Sequence, residues 1–350
     1  MKSVKTLYLD AAGIAIAVSI ALCSGLAVIL ATSDEPLTAL ASLLLEPLSD
    51  PFHIGTILNK AVPLILTGLA LCVVFQSGVF SMGAEGQLHV GAFAGALAGI
   101  SISGWPAWIH LPFVLVCAVA GGALFAAVAG VLKALWNANE IVTTLMLNFI
   151  AVLTISYFVN NPLKDPESGG FARMAYLDKG LLLSKPIPGF PVHMGIAIAL
   201  VMVAVVALLL YTTAIGYELR LVGKNRIFAR YGGIATRRAV IVGMMISGGL
   251  AGLAGVVEVL GIHGTYKDQF SAGLGFDGII IAILARNHPV GVLVAALVYA
   301  YIQVGAQTMQ VGSDMPREVA VIIQVMMVLL VSSPSIFAFL KHKYGQKAVN

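Results

Sequence analysis

Glu85 and Gln87 lie two positions apart in FSMGAEGQLHVG, residues 80 to 91, a carboxylate and an amide among three glycines in a strongly apolar stretch. Asp277 sits in a matching stretch, FSAGLGFDG at 270 to 278. Both read Phe-Ser, then glycines, then an acid followed by glycine, and each leads into an apolar run of small residues. Polar groups in apolar surroundings are expensive and usually face an aqueous route or a partner. An acid beside the first turn of a helix is also favoured by the helix dipole. The two stretches are therefore candidates for the broken starts of half-helices beside a pathway, with Glu85, Gln87 and Asp277 as polar groups there. The plainer alternative is that the glycines permit close helix packing and the acids cap helix ends.

Further polar side chains recur inside apolar runs. Asn148 in NEIVTTLMLNFIA, 139 to 151, stands about two and a half turns inside its helix, suited either to interhelical hydrogen bonding or to lining a route. Asn139 and Glu140, which open that segment, fit an N-cap and a first-turn acid. Gln303 and Gln307, four apart, share one helix face and suit a polar neutral solute, and Gln324 lies in the last apolar run. Fixed catalysis finds no support. There is no HExxH and no GxSxG, the seven histidines are scattered, and Cys23, Cys72 and Cys117 form no CxxC. GKN at 223 to 225 lacks a glycine at phosphate-loop spacing and has Asn225 where Ser or Thr would hold magnesium. No metal, cofactor or nucleotide site is expected in this chain, and no basic patch suggests nucleic acid.

These residues need helices to position them, and the composition says which kind. Of 350 residues 59% are apolar and 10% charged, with mean hydropathy +0.97, against about half apolar and a quarter charged in a soluble domain. Apolar runs predict an all-α integral membrane protein with about ten spans, near 10–32, 57–75, 88–104, 111–132, 139–160, 190–213, 239–262, 270–286, 289–310 and 317–339. The first is read as a retained helix, because its apolar part exceeds a signal core and no small-x-small site follows cleanly. With both termini in the cytoplasm, the inner segments hold most of the 20 basic residues, including Lys133, Arg286 and the six of ELRLVGKNRIFARYGGIATRR. The eighth span is short for a crossing, and its glycines allow part of it to run extended. In this topology the two Phe-Ser stretches face opposite sides five spans apart, as in an inverted repeat of halves about 57–160 and 239–339 with broken or re-entrant helices. The cytoplasmic loop 214–238 mixes Leu219, Leu221, Ile227, Phe228 and Tyr231 with six basic residues, suiting a short amphipathic helix against lipid or in a partner's groove.

FQSGVFSMGAEGQLHVGA, NEIVTTLMLNFIA, SGGLAGLAGVVEVLGIHG and GFDGIIIAILARNHPVG, four segments in order between about 60 and 310, resemble the membrane subunit of an ATP-binding-cassette importer. The family serves branched-chain amino acids, ribose and other simple sugars, and nucleosides, and the resemblance is strongest to its nucleoside or simple-sugar branch. Departures are Gln76, where a basic residue is more frequent, and Ser81 and Met82, where Asn-Ile is. The resemblance implies a single permease domain over 1–350 in the bacterial cytoplasmic membrane, moving a nucleoside, simple sugar or riboflavin-like ligand. It implies that loop 214–238 docks on a separate cytoplasmic ATPase through Gly223, Asn225, Arg230, Tyr231, Gly233 and Ile234, with ATP and magnesium bound by that partner. It also implies a second, homologous permease subunit in a heterodimer and an extracytoplasmic binding lipoprotein. The competing expectation is a secondary transporter driven by an ion gradient, with Glu85 or Asp277 binding a proton or cation.

Overall fold

A computed structural model describes residues 33–102, 104–186, 190–271 and 273–313, with isolated positions between 23 and 30 and between 315 and 326. Apart from those positions, the expected spans 10–32 and 317–339, with Gln324 and the basic C-terminal stretch, lie outside the described residues.

The described chain is helical. Its helices are α1 (Pro36–Leu44), α2 (Glu46–Ser49), α3 (Pro51–Gln76), α4 (Ala84–Ser101), α5 (Ala107–Trp136), α6 (Glu140–Asn160), α7 (Gly195–Thr212), α8 (Ala214–Lys224), α9 (Arg226–Tyr231), α10 (Thr236–Glu258, prolonged by a wider turn to His263), α11 (Leu274–Leu284) and α12 (Pro289–Gly312). Six of them, α3, α5, α6, α7, α10 and α12, are long and apolar enough to cross a membrane. Their boundaries follow local chemistry. Asn139 caps α6, its side-chain oxygen accepting from the amides of Ile141 at 3.0 Å and Val142 at 3.3 Å. Asn137 ends α5 in the left-handed conformation at φ 51°, a role Asn tolerates.

Two elements differ from the hydropathy reading. Helix α4 begins at Ala84, ahead of the apolar run, because its polar first turn is satisfied by other elements. Helix α11 has 11 residues where a 17-residue span was expected, and reaches only about 16 Å of a ~30 Å core. Left-handed backbone at Gln269 (φ 50°) and Gly273 (φ 95°) precedes it, and at Arg286 (φ 51°) and Asn287 (φ 56°) follows it.

Contacts divide the chain into two compact units, Met1–Ile57 with Leu297–Asn350, and Leu58–Ala296. In the first, α12 is tied to α1 by the Thr308 hydroxyl, which donates to the Ser42 carbonyl at 2.6 Å, and by Tyr301, whose hydroxyl donates to the Leu44 carbonyl. In the second, α10 is buried along most of its length, whereas α5, α6 and α7 turn Leu124, Phe149, Leu153 and Leu208 outward, as a lipid-facing surface requires. Helices α4, α5 and α10 close on one another at small residues: a Cβ on Gly122 would lie 3.0 Å from Gly252 Cα. The 161–186 loop covers the turn after α10 through amides of Met174, Leu177 and Leu183, each donating at 3.0 Å to carbonyls of Tyr266, Gly264 and Leu260 respectively.

Candidate functional site

The FSMGAEG stretch forms the non-helical lead and first turn of α4. Gly83 occupies the cap position and has no side chain to satisfy the amides behind it. Helix α6 does so instead. Asn148 Oδ1 accepts from the Gly86 amide at 2.9 Å, its Nδ2 donates to the Met82 carbonyl at 2.7 Å, and the Thr144 hydroxyl accepts from the Met82 amide at 3.0 Å. Both ends of the Asn148 amide are thus engaged with the α4 lead.

Glu85 joins the two matched stretches. One of its carboxylate oxygens accepts from the Ser271 hydroxyl and the other from the Gly275 amide at 2.7 Å. Both partners belong to FSAGLGFDG, and Glu85 is 7% exposed. His89, one turn along α4, places Nε2 3.0 Å from Ser271 Oγ and 3.6 Å from Glu85 Oε1, and Nδ1 2.7 Å from the Tyr266 hydroxyl. The Ser271 hydrogen goes to the carboxylate, so in a neutral ring Nε2 carries the proton donated to Ser271, and Nδ1 accepts from Tyr266. The Tyr266 phenol is protonated at neutral pH and is the donor of that pair.

Gln87 is 2% exposed, and its side-chain oxygen has no protein hydrogen-bond partner among the described residues. An orphan buried acceptor beside the break in α4 suits a ligand hydroxyl or N–H. Asp277 lies in the first turn of α11, partly exposed. Gln303 and Gln307 belong to the other unit. There Gln307 lines a cavity of about 430 Å³ with Glu46, Asp50, Phe52 and His53.

The charged loop is two helices rather than one. Asn225 breaks α8 from α9 and caps the latter, accepting from the Phe228 amide at 2.9 Å. Gly233, at φ 82°, closes α9, and the Ile234 amide returns to the Ala229 carbonyl at 3.0 Å. Ile227, Phe228 and Tyr231 stand exposed, Tyr231 at 89%. Arg230, Tyr231 and Ile234 line an open groove of about 1090 Å³ with Lys133, Arg226 and Arg237. Apolar side chains ringed by cations suit a partner groove of mixed apolar and acidic character. Gly223 does something else: it presses on the end of α3, where an added Cβ would overlap the Gln76 carbonyl and lie 2.9 Å from the Gly78 nitrogen.

Comparison with known proteins decides the family. The family model for the branched-chain amino acid transport system permease component matches residues 53–332. The chain belongs to this permease family. It is a multi-pass membrane protein and a transport component. A guanosine ABC transporter permease protein of Bacillus subtilis, NupP, is 33% identical over 96% of this chain and 97% of its own. A glucose ABC transporter permease protein of Haloferax volcanii is 33% identical over 91% and 86%. A nucleoside ABC transporter permease protein of Lactococcus lactis, NupB, is 29% identical over 88% and 86%. No solved structure matches the permease.

Sequence reasoning did not single out Ser271, Gly275, His89, Tyr266 or Thr144. The i, i+4 spacing of Glu85 and His89 was a usable signal. So was the serine shared by the two matched stretches.

Proposed function

We propose that this permease is one membrane subunit of an ATP-binding-cassette importer that carries a nucleoside, or a related small solute such as a simple sugar or riboflavin-like ligand, across the bacterial cytoplasmic membrane. The observation that carries the reading is the family match across 53–332. The choice of nucleosides leans on relatives whose names specify guanosine and nucleosides. In this reading residues 1–350 form one membrane domain crossing ten times with both termini in the cytoplasm, the eighth crossing being completed by the non-helical chain before the short α11. Its halves, 57–160 and 239–339, are an inverted repeat whose broken helices are α4 and α11.

A separate cytoplasmic ATPase binds ATP and magnesium, a second homologous permease completes the translocation route, and an extracytoplasmic lipoprotein delivers the ligand. Arg230, Tyr231 and Ile234 contact the ATPase, while Asn225 and Gly233 fix the shape of α9. Gly223 passes the motion to Gln76 and Gly78. Gln87, Gln303 and Gln307 offer hydrogen bonds to the solute, with Glu85, Asn148 and Asp277 holding and charging the break. ATP binding biases the permease between outward and inward states by its differential affinity for them.

Copurification tests the assembly. Isolated through a tag on this chain, the membrane complex should contain the ATPase and a second permease. A chain that purifies alone and transports without ATP overturns the reading in favour of an ion-driven carrier.

A further inference from the structure

A carboxylate, a serine, a histidine and a tyrosine are assembled where α4 and α11 begin. Both helices start at a glycine with no side chain to cap the amides of the first turn. Each is capped from outside. Helix α6 caps α4 through Asn148, and α4 in turn caps α11 through Glu85, whose carboxylate takes the Gly275 amide at 2.7 Å. The two starts approach so closely that a Cβ on Gly275 would lie 2.5 Å from Glu85 Cα. Facing helix starts bring two partial positive charges together, and a buried anion between them turns that repulsion into charge-assisted hydrogen bonds.

The far end of α11 is held by the same stretch of chain. Gln76, at the end of α3, donates its amide to the Asn287 carbonyl at 2.6 Å. So residues 76–86 grip α11 at both ends, through Gln76 and through Glu85. Helix α11 is also a rod between two bends, since left-handed residues precede and follow it. Bends of that kind absorb large changes in φ and ψ when a rigid element moves. Gly223 of the charged loop touches this grip directly, at Gln76 and Gly78.

We propose that α11 is the moving gate of the permease and that Glu85 is its latch, a positioning residue whose bridge to Ser271 and Gly275 is made in one state of the transport cycle and broken in the other. Gln76 is the pivot at the opposite end. Motion of the loop displaces residues 76–78, the strain reaches the first turn of α4, and with it Glu85, through the non-helical residues 79–83, and release of the carboxylate frees the start of α11. His89 and Tyr266 hold the serine so that its hydrogen stays on the carboxylate, a chain in which each bond strengthens the next. The proposal rests on the importer reading for its cycle, but the latch itself is a property of this chain.

Glu85→Gln and Ser271→Ala test it, in the full chain and in the assembled complex. Hydrogen exchange by mass spectrometry, on the full chain alone, reads the start of α11: the Gly275 amide should exchange about tenfold faster or more in Glu85→Gln, because its acceptor loses charge. In the complex, ligand-independent ATP hydrolysis should rise severalfold while solute moved per ATP falls, with Ser271→Ala giving the same change in smaller measure. A merely structural contact would lower the amount of complex and leave the uptake-to-hydrolysis ratio of what remains unchanged, and that result overturns the latch. So does wild-type exchange at Gly275 in both variants. If Glu85→Gln does not assemble, Ser271→Ala, which removes one bond and no charge, decides on the same two readouts. A wild-type complex with no ATP-driven uptake refutes the importer reading separately.

Discussion

Gly223→Ala is the most informative single perturbation of the loop. Gly223 lies inside α8, so in an isolated helix alanine would be favoured by about 1 kcal/mol. In the folded chain the new methyl overlaps the Gln76 carbonyl and lies 2.9 Å from both Gln76 C and Gly78 N. The limiting contact is the carbonyl oxygen, which a carbon approaches comfortably only to about 3.2 Å, so α8 and the end of α3 must part by roughly 1 Å. The obstruction is backbone and cannot rotate away. Overpacking of this kind costs about 1–3 kcal/mol, so the variant should be destabilised by roughly 0–2 kcal/mol after the helix gain is subtracted. The functional effect should be larger than the stability effect, because the displaced atoms include Gln76, which holds Asn287 at the end of α11. A neutral hydrogen bond of this kind is worth about 1 kcal/mol and about 1.4 kcal/mol is tenfold, so its loss should lower uptake per ATP hydrolysed by roughly fivefold. The assay is simultaneous measurement of ATP hydrolysis and labelled solute uptake in vesicles containing the assembled complex. Gly232→Ala is the control, since its nearest neighbour would lie at an ordinary 3.4 Å. If Gly223→Ala and Gly232→Ala give the same uptake per ATP as the wild type, transmission through Gln76 and Gly78 is refuted.

Asn148→Ala strands the Gly86 amide and the Met82 carbonyl in the interior, and at about 1–3 kcal/mol for each buried group left unpaired, thermal unfolding of the purified chain should show a loss of roughly 2–5 kcal/mol. Asn148→Asp keeps the acceptor for Gly86 but sets a carboxylate against the Met82 carbonyl, and should be no better tolerated; wild-type stability in either variant removes the capping role. Tyr231→Ala, at an exposed site, should leave the melting temperature of the chain within a degree or so while weakening copurification of the ATPase by roughly tenfold, and full retention would displace the docking surface. Gln87→Leu removes the orphan acceptor without opening a void: the affinity for solute should fall by about tenfold with assembly intact, and an unchanged uptake curve would make Gln87 a packing residue.

The membrane class and the existence of six long helices were legible because apolar length and a local cap act on neighbouring residues, as at Asn139. Their ends were less so: α3 begins at Pro51, six residues before the apolar run, and α5 continues to Trp136, four residues beyond it. The early start of α4 and the short α11 were not. Both depend on partners far away in sequence: Glu85 reaches Ser271 and Gly275 across 186 and 190 positions. The matching of FSMGAEG with FSAGLGFDG was visible, and it marked both stretches as special. That one stretch supplies the cap of the other was not, because two similar motifs in one chain carry no statement that they touch. The charged loop reads as one amphipathic pattern because Asn225 disturbs the periodicity by a single residue, although its side chain starts a new helix there. The resemblance led to the expectation of a basic residue at Gln76; the Gln76 amide donates to the Asn287 carbonyl, a role that a basic side chain would also fill.

The most direct test is uptake of a panel of labelled nucleosides and simple sugars into vesicles containing this permease with the proposed ATPase and second permease, the delivery protein and ligand outside and ATP within. Uptake should require ATP, survive a proton uncoupler and be abolished when the ATPase cannot hydrolyse ATP. Uptake that proceeds without the ATPase and collapses with the uncoupler would contradict the importer reading.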